Sequence, residues 1–378
     1  MNDSGFLTDF SLFLKQKKQE GIKVIAFLAH DNIPEELIDA VGFFPLRIMF
    51  GGNDDLMTAS HDYLPPSTCA FAQTCIGLFS IKPNEYDFLD FVDYFIVSNH
   101  CVSDICASEV ISKYNNIPRL NFYVSYTKNE NSLKYFKLEL QDFKEQLEKV
   151  SEKIISDEIL LRSIKKYNNF KKILSELYDL EMLGSKKLKI IQKALLMGPD
   201  YSDELEKEIE KIKTSPPLKS QDLKNILLTG CSIFINDELI DLIENGGGNI
   251  VFFDTWIGNH YNSQIIEESV INNSKNPLDL LVYRFKNNLY GDHSVSNYLQ
   301  NKISLIEEFY RNYQEKTGQK LGVINHIIKF CDHMSLMSSF LKDKLQEKGI
   351  QVLNLERDYS RANRGQLSTR VEAFLEMI

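Results

Sequence analysis

Six cysteines are the residues of this chain best suited to chemistry, and three of them, Cys69, Cys101 and Cys331, stand where an extended stretch gives way to a helical one. Cys101 directly follows YFIVSNH, Cys331 directly follows VINHIIKF, and Cys69 comes after the stiff approach SHDYLPPST. Thiolates at helix starts suit an iron–sulfur cluster, because unpaired amides and the positive end of the helix dipole favour its negative charge. The chain has no tight Cys-x-x-Cys pair. Spacing alone therefore leaves a second reading open, since free cysteine is among the most buried residue types and packs as a small hydrophobe. Cys75 and Cys106 fit that second reading better, because neither stacks above the preceding cysteine on a helix. Cys231, in TGCS after an apolar run, stays open between the two.

Other polar residues border the same strand ends. His30, Asp31 and Asn32 end the first apolar run, where an acid or base such as His30 is well placed, or where Asn32 caps the helix beginning at Pro34. Glu35 and Glu36 read as first-turn partners of the helix dipole. His100 and His333 neighbour two of the cysteines and would tune a cluster or deliver a proton, with His333 the candidate catalyst. Asp332 reads as a helix cap. Gln366 and Arg370 lie one helical turn apart and could hold an anion, or form a surface ion pair. ENGGGN lies between a helix and a strand, so it reads as a helix end and turn, not a phosphate cradle. No Walker-type loop is visible.

These residues need an α/β scaffold. IKVIAFL, PLRIMF, FVDYFIVSN and PRLNFYVS read as strands separated by helices, over a domain at 1–127 carrying two of the cysteines. From 128 to 213 apolar residues recur at three and four spacing, which predicts a helical section. TSPPLKSQD at 214–222 reads as a linker. NILLTG, IVFFD, KLGVINHII and IQVLNLERD then alternate with helices in a second α/β domain at 214–378, which holds the third cysteine. The expected fold is α/β, with two parallel-sheet domains and a helical middle section. Ligands in such sheets bind beyond the carboxyl ends of the strands, so two facing domains would gather the three cysteines.

Composition narrows the function classes. A formal net charge of −10, with 25% charged residues of interleaved sign, argues against nucleic-acid binding. No apolar run approaches the ~18 residues of a membrane span, and the first residues lack a secretory pattern, so a cytoplasmic protein is expected.

IPEELIDAVGFFPLRI, STCAFAQTC, NHCVSD, LLTGCSI, KFCDHM and the closing DYSRANRGQLSTRVEAFLEMI together carry a resemblance. The chain resembles the family of 2-hydroxyacyl-CoA dehydratase iron–sulfur subunits, ATP-driven benzoyl-CoA reductase subunits and double-cubane cluster proteins, over nearly its whole length. The resemblance implies that Cys69, Cys101 and Cys331 bind a 4Fe–4S cluster with one iron lacking a cysteine, or part of a double-cubane cluster. It implies a related second subunit in a heterodimer, or a homodimer, an ATP-dependent iron–sulfur activator, and an acyl-CoA substrate that loses water through a ketyl radical. A reductase is the alternative, and a non-catalytic electron-relay or scaffold subunit is a third reading. The TGC motif and the ending look closer to the reductase and double-cubane branches, although FFDTWIGNHY has Trp256 where a further cysteine would suit the latter.

Overall fold

The computed structural model describes residues 4–28, 32–215, 223–288 and 297–378. His30 and Asp31 lie outside the described residues, as does 216–222 of the expected linker.

The first part of the chain forms α1 (Ser4–Gln19), β1 (Val24–Leu28), α2 (Glu35–Ala40), β2 (Phe44–Ile48), α3 (Asp54–Ala59), α4 (Ala70–Ile81), β3 (Val92–Ser98), α5 (Val102–Tyr114) and β4 (Arg119–Phe122). Its strands pair in parallel in the order β2-β1-β3-β4. Every residue of β1 is buried, as a central parallel strand covered on both faces requires. Four helices follow: α6 (Glu130–Ser151), α7 (Asp157–Ser175), α8 (Gly184–Met197) and α9 (Ser202–Lys213). Asn129 and Ser156 cap the first two by accepting the amides of Ser132 and Ile159.

A second sheet and its helices complete the chain: β5 (Lys224–Gly230), α10 (Leu239–Asn245), β6 (Gly248–Asp254), α11 (Glu268–Asn273), α12 (Pro277–Asn287), α13 (Tyr298–Thr317), β7 (Leu321–Ile328), α14 (Asp332–Gln346), β8 (Val352–Arg357) and α15 (Arg364–Met377). These strands are also parallel, in the order β6-β5-β7-β8. The two sheets thus share one topology, in which strand order reverses between β1 and β3 and between β5 and β7. Each reversal opens a crevice at the carboxyl ends.

The sheets are joined at those ends. Phe50 bridges to Ile235, the Ile235 amide donates to the Met49 carbonyl at 3.0 Å, and the Phe71 and Phe234 rings stack 4.2 Å apart. One continuous apolar core runs from β1 and α4 into β5 and β7. α12 crosses back to the helices of the middle section, where Phe285 stacks on Phe136 of α6. Among the described residues no helix is long and apolar enough to cross a membrane.

Several local expectations are corrected. Asn32 does not cap α2, whose N-cap is Pro34. Asp332 is the exposed first residue of α14, and Cys331 takes the cap position. Glu35 and Glu36 do stand in the first turn of α2, as expected, and beyond that both are buried and paired, Glu35 with Arg47 at 3.1 Å and Glu36 with Arg284 of α12 through both carboxylate oxygens. Arg370 donates to the carbonyl of Asn354 at 2.6 Å and so ties α15 to β8 instead of facing an anion. By contrast, the ENGGGN segment is the expected helix end and turn: it ends α10, and Gly247 at φ +90° turns the chain into β6.

Candidate functional site

Cys69, Cys101 and Cys331 are the N-cap residues of α4, α5 and α14. An N-cap side chain sits over amides that no carbonyl of the helix can reach, so the three sulfurs face three positive helix ends. The Asp104 amide donates to Cys101 Sγ at 3.3 Å. The amides of Phe71 and Ala72 favour the thiolate of Cys69, and that of Met334 favours the thiolate of Cys331.

The three cysteines border one cavity of about 90 Å³, together with Cys231 and with His100, Asp104, Trp256, His260, Tyr298 and His333. The residues after β3, β5, β6 and β7 all contribute, so the cavity sits across the facing crevices of both sheets. Cys69 shares a side-chain hydrogen bond with Cys331, which shares another with Cys231. Cys231 Sγ also accepts the Ile328 amide at 3.4 Å, and its backbone amide donates to the His326 carbonyl at 2.8 Å. Cys75 is fully buried in the core of α4, and neither it nor Cys106 lines the cavity.

As free thiols these groups are weak acids. The hydrogen bond with Cys331, and then burial, push the Cys69 thiol far up; burial, and then Asp104, do the same to Cys101; contact with Cys231 raises Cys331. A bound metal group would reverse this by holding the sulfurs as thiolates. Burial lifts the Asp104 carboxyl to about 7, and its Oδ2 is buried without a hydrogen-bond partner. Burial, then the neighbouring His333, bring His100 down to about 3, so it is neutral at ordinary pH.

Among the described residues no group of three or more His, Cys, Asp or Glu side chains converges on a point as one metal ion requires. An iron–sulfur cluster asks for something else, separate thiolates directed at separate irons around a small volume. Three capping cysteines around one cavity, with amides aimed at their sulfurs, fit that donor set.

The structure brings together Cys69, Cys101, Cys331, His100 and His333, and it adds Cys231. It also adds His260, which sequence reasoning passed over. The available signal was Asp254 and His260 flanking the turn in FFDTWIGNHY, a carboxylate and an imidazole close enough in sequence to pair.

Comparison with known proteins gives a consistent set of relatives. The family model described as 2-hydroxyglutaryl-CoA dehydratase, D-component, matches residues 32–378. The chain is 26% identical over 397 residues to the (R)-phenyllactyl-CoA dehydratase beta subunit of Clostridium sporogenes, covering all of both chains. It is 26% identical over 359 residues to a benzoyl-CoA reductase subunit of Thauera aromatica, covering 88% of this chain and 85% of that one. It is 24% identical over 353 residues to the lactoyl-CoA dehydratase beta subunit of Anaerotignum propionicum, covering 91% and 89%.

Proposed function

Because the chain belongs to the 2-hydroxyglutaryl-CoA dehydratase D-component family, we propose that it is the iron–sulfur subunit of an enzyme that removes water from a (R)-2-hydroxyacyl-CoA. The observation that carries this reading is the convergence of three helix-capping cysteines, Cys69, Cys101 and Cys331, on one cavity at the carboxyl ends of both sheets.

In this reading the three cysteines hold a 4Fe–4S cluster. When bound, such a cluster supplies one electron at low potential. An electron is needed because the hydrogen at C3 of the acyl group is too weakly acidic for a side-chain base. With one electron added, the thioester carbonyl becomes a ketyl that expels the 2-hydroxyl as hydroxide, the C3 proton then leaves, and the electron is returned. The products are a 2-enoyl-CoA and water. The chain's own residues supply the sulfur donors and the amides of Phe71, Ala72, Asp104 and Met334 that favour thiolate. Phe71, Phe234 and Trp256 keep one side of the cavity apolar, and His333 stands at the cavity as the residue to hand over a proton.

A partner subunit is part of the proposal. Exposed apolar side chains flank two of the three cysteines: Val102 follows Cys101, Phe330 precedes Cys331, and Leu336 and Phe340 lie further along α14, with Leu336 84% exposed. Such side chains around a site mark a surface that a second chain covers. Two of the relatives are named as beta subunits, which supports a related subunit here. An ATP-hydrolysing iron–sulfur activator would deliver the electron.

A reductase is the second reading, favoured by the match to a benzoyl-CoA reductase subunit and by Cys231 standing beside Cys331. The deciding experiment is anaerobic co-expression with a related subunit and an activator of the kind proposed, followed by assay with 2-hydroxyacyl-CoA thioesters. Dehydration yields an enoyl-CoA with no net consumption of reductant, whereas a reductase consumes electrons in proportion to product. An iron-free protein that stays so after reconstitution with iron and sulfide would reject both.

A further inference from the structure

β6 ends in Asp254, and the irregular turn Trp256–His260 folds back over it. Gly258 allows that turn, because a Cβ there would lie 2.6 Å from the Phe253 carbonyl oxygen. Asp254 is fully buried, yet its carboxylate is fully engaged. Thr229 Oγ1 donates to Oδ2 at 2.6 Å, Lys302 Nζ of α13 lies 2.8 Å from the same oxygen, and His260 Nε2 lies 2.9 Å from Oδ1. Burial opposes ionisation, but Lys302 and His260 hold the carboxyl at about 2, so it is a carboxylate at ordinary pH.

A carboxylate only accepts hydrogen bonds, so His260 Nε2 must carry the hydrogen and the ring's lone pair sits on Nδ1. Burial, then Lys302, press the imidazole below its ordinary pKa, against the pull of Asp254. Its Nδ1 is buried and has no hydrogen-bond partner, and His260, only 2% exposed, lines the cysteine cavity. An acceptor left unsatisfied in a protein interior costs about 1–3 kcal/mol. A carboxylate that fixes one ring nitrogen while the other stays open is also how proteins present imidazole to a metal. His326 lacks this arrangement, since its Nδ1 engages the Cys231 carbonyl at 2.8 Å and its Nε2 accepts from Arg357 at 3.1 Å.

We propose that His260, held by Asp254, Lys302 and Thr229, is a nitrogen donor to the group in the cysteine cavity and binds through Nδ1 the iron that the three cysteines leave without a thiolate. The inference rests on the reading that the cavity holds an iron–sulfur cluster. It assigns Asp254 and Lys302 as positioning residues, which fix the tautomer without touching iron. An iron closed by His260 offers no vacant position to a substrate oxygen, so this chain's cluster would pass electrons instead of binding the acyl group.

The test is pulsed EPR on protein labelled with 15N-histidine, reconstituted anaerobically with iron and sulfide and then reduced. A histidine nitrogen coupling is expected in the wild type, shifted between 14N and 15N samples, kept in His100→Gln and His333→Gln, and lost in His260→Gln while cluster iron is retained. Asp254→Asn should weaken the coupling, because the imidazole tautomer is no longer fixed. Should His260→Gln fail to fold, retention of the coupling in single variants at each of the other six histidines assigns it by exclusion. A wild-type cluster signal with no histidine coupling, or a coupling that survives His260→Gln, overturns the inference and leaves the cluster reading standing. Absence of any cluster signal and iron in the wild type overturns that reading, and the inference with it.

Discussion

The amide of Ala70 donates to the carbonyl of Lys329 at 3.1 Å, which fastens the first residue of α4 to the segment leaving β7. Ala70 follows Cys69, and Lys329 lies just before Cys331. One hydrogen bond between main-chain atoms therefore sets the separation of two cysteines that come from distant parts of the chain.

The first prediction follows from that preorganisation. Cys69→Ala, Cys101→Ala and Cys331→Ala should each fold, because the hydrogen bonds fixing the loops are made by backbone atoms, and each should lose the iron of the reconstituted protein. Iron and sulfide analysis beside circular dichroism checks both halves. A variant of all three that still holds a full complement of iron would exclude them as ligands.

Cys231 is expected to behave differently. Its sulfur accepts the Ile328 amide and touches Cys331, so it steadies the approach to that ligand from β5. Cys231→Ala should keep its iron but release it faster to a chelator than wild type does. Complete loss of iron would promote Cys231 to a ligand and favour the double-cubane branch.

His333 gives a separate prediction. It lines the cavity two positions beyond Cys331, on the first turn of α14. If it hands over the proton, His333→Ala retains iron and an unchanged EPR spectrum while turnover falls by about two orders of magnitude or more, the usual weight of one acid–base group. Turnover equal to wild type would remove it from the mechanism.

The strands were legible in the sequence because each is a short apolar run between turn signals, and IVFFD and VINHII needed nothing more. The three capping cysteines were legible for the same reason, since each stands where such a run, or a proline-stiffened loop, meets a helical pattern. Cys231 was not, because its approach to Cys331 depends on β5 lying beside β7 with Gly230 opposite His326, a pairing of distant segments. His260 was hidden further. Its role depends on the turn Trp256–His260 folding back onto Asp254 and on Lys302 arriving from α13, and no local pattern encodes either contact. The first-turn place of Glu36 was legible but its ion pair was not, because its guanidinium partner, Arg284, comes from α12 in the other part of the chain.

That buried charge group predicts a pH dependence. Arg47 and Arg284 already match Glu35 and Glu36, so the charge of Lys171, 3% exposed and 4.4 Å from the centre of the Tyr261 ring, is surplus. Burial, then Arg284, bring Lys171 from its ordinary 10.5 down to about 7. Between these two values the unfolded chain binds more protons than the folded one, so stability should rise with pH, at up to about 1.4 kcal/mol per pH unit. Below about 7 both states are protonated and the penalty is constant. Lys171→Met should flatten this slope in urea denaturation from pH 6 to 9 and raise stability most at the acidic end. A slope unchanged by the substitution would show that Lys171 stays charged in the folded protein.

The last prediction concerns how α4 is held. Gly77 lies inside that helix, where replacing glycine by alanine ordinarily gains about 1 kcal/mol. Here a Cβ would fall 2.0 Å from the carbonyl oxygen of Leu56, so the gain is forfeited to a clash between α4 and α3 that no side-chain rotation relieves. Gly77→Ala should therefore destabilise the protein by about 1–3 kcal/mol, the usual cost of overpacking. Because Cys69 caps α4, pushing the helix away from α3 also shifts one sulfur against the other two, so iron occupancy should fall together with the melting temperature. Gly5→Ala in α1 is the control, as nothing lies within 4 Å of the added carbon. It should lower neither quantity, and equal effects at the two glycines would mean that the α3–α4 contact does not set the position of Cys69.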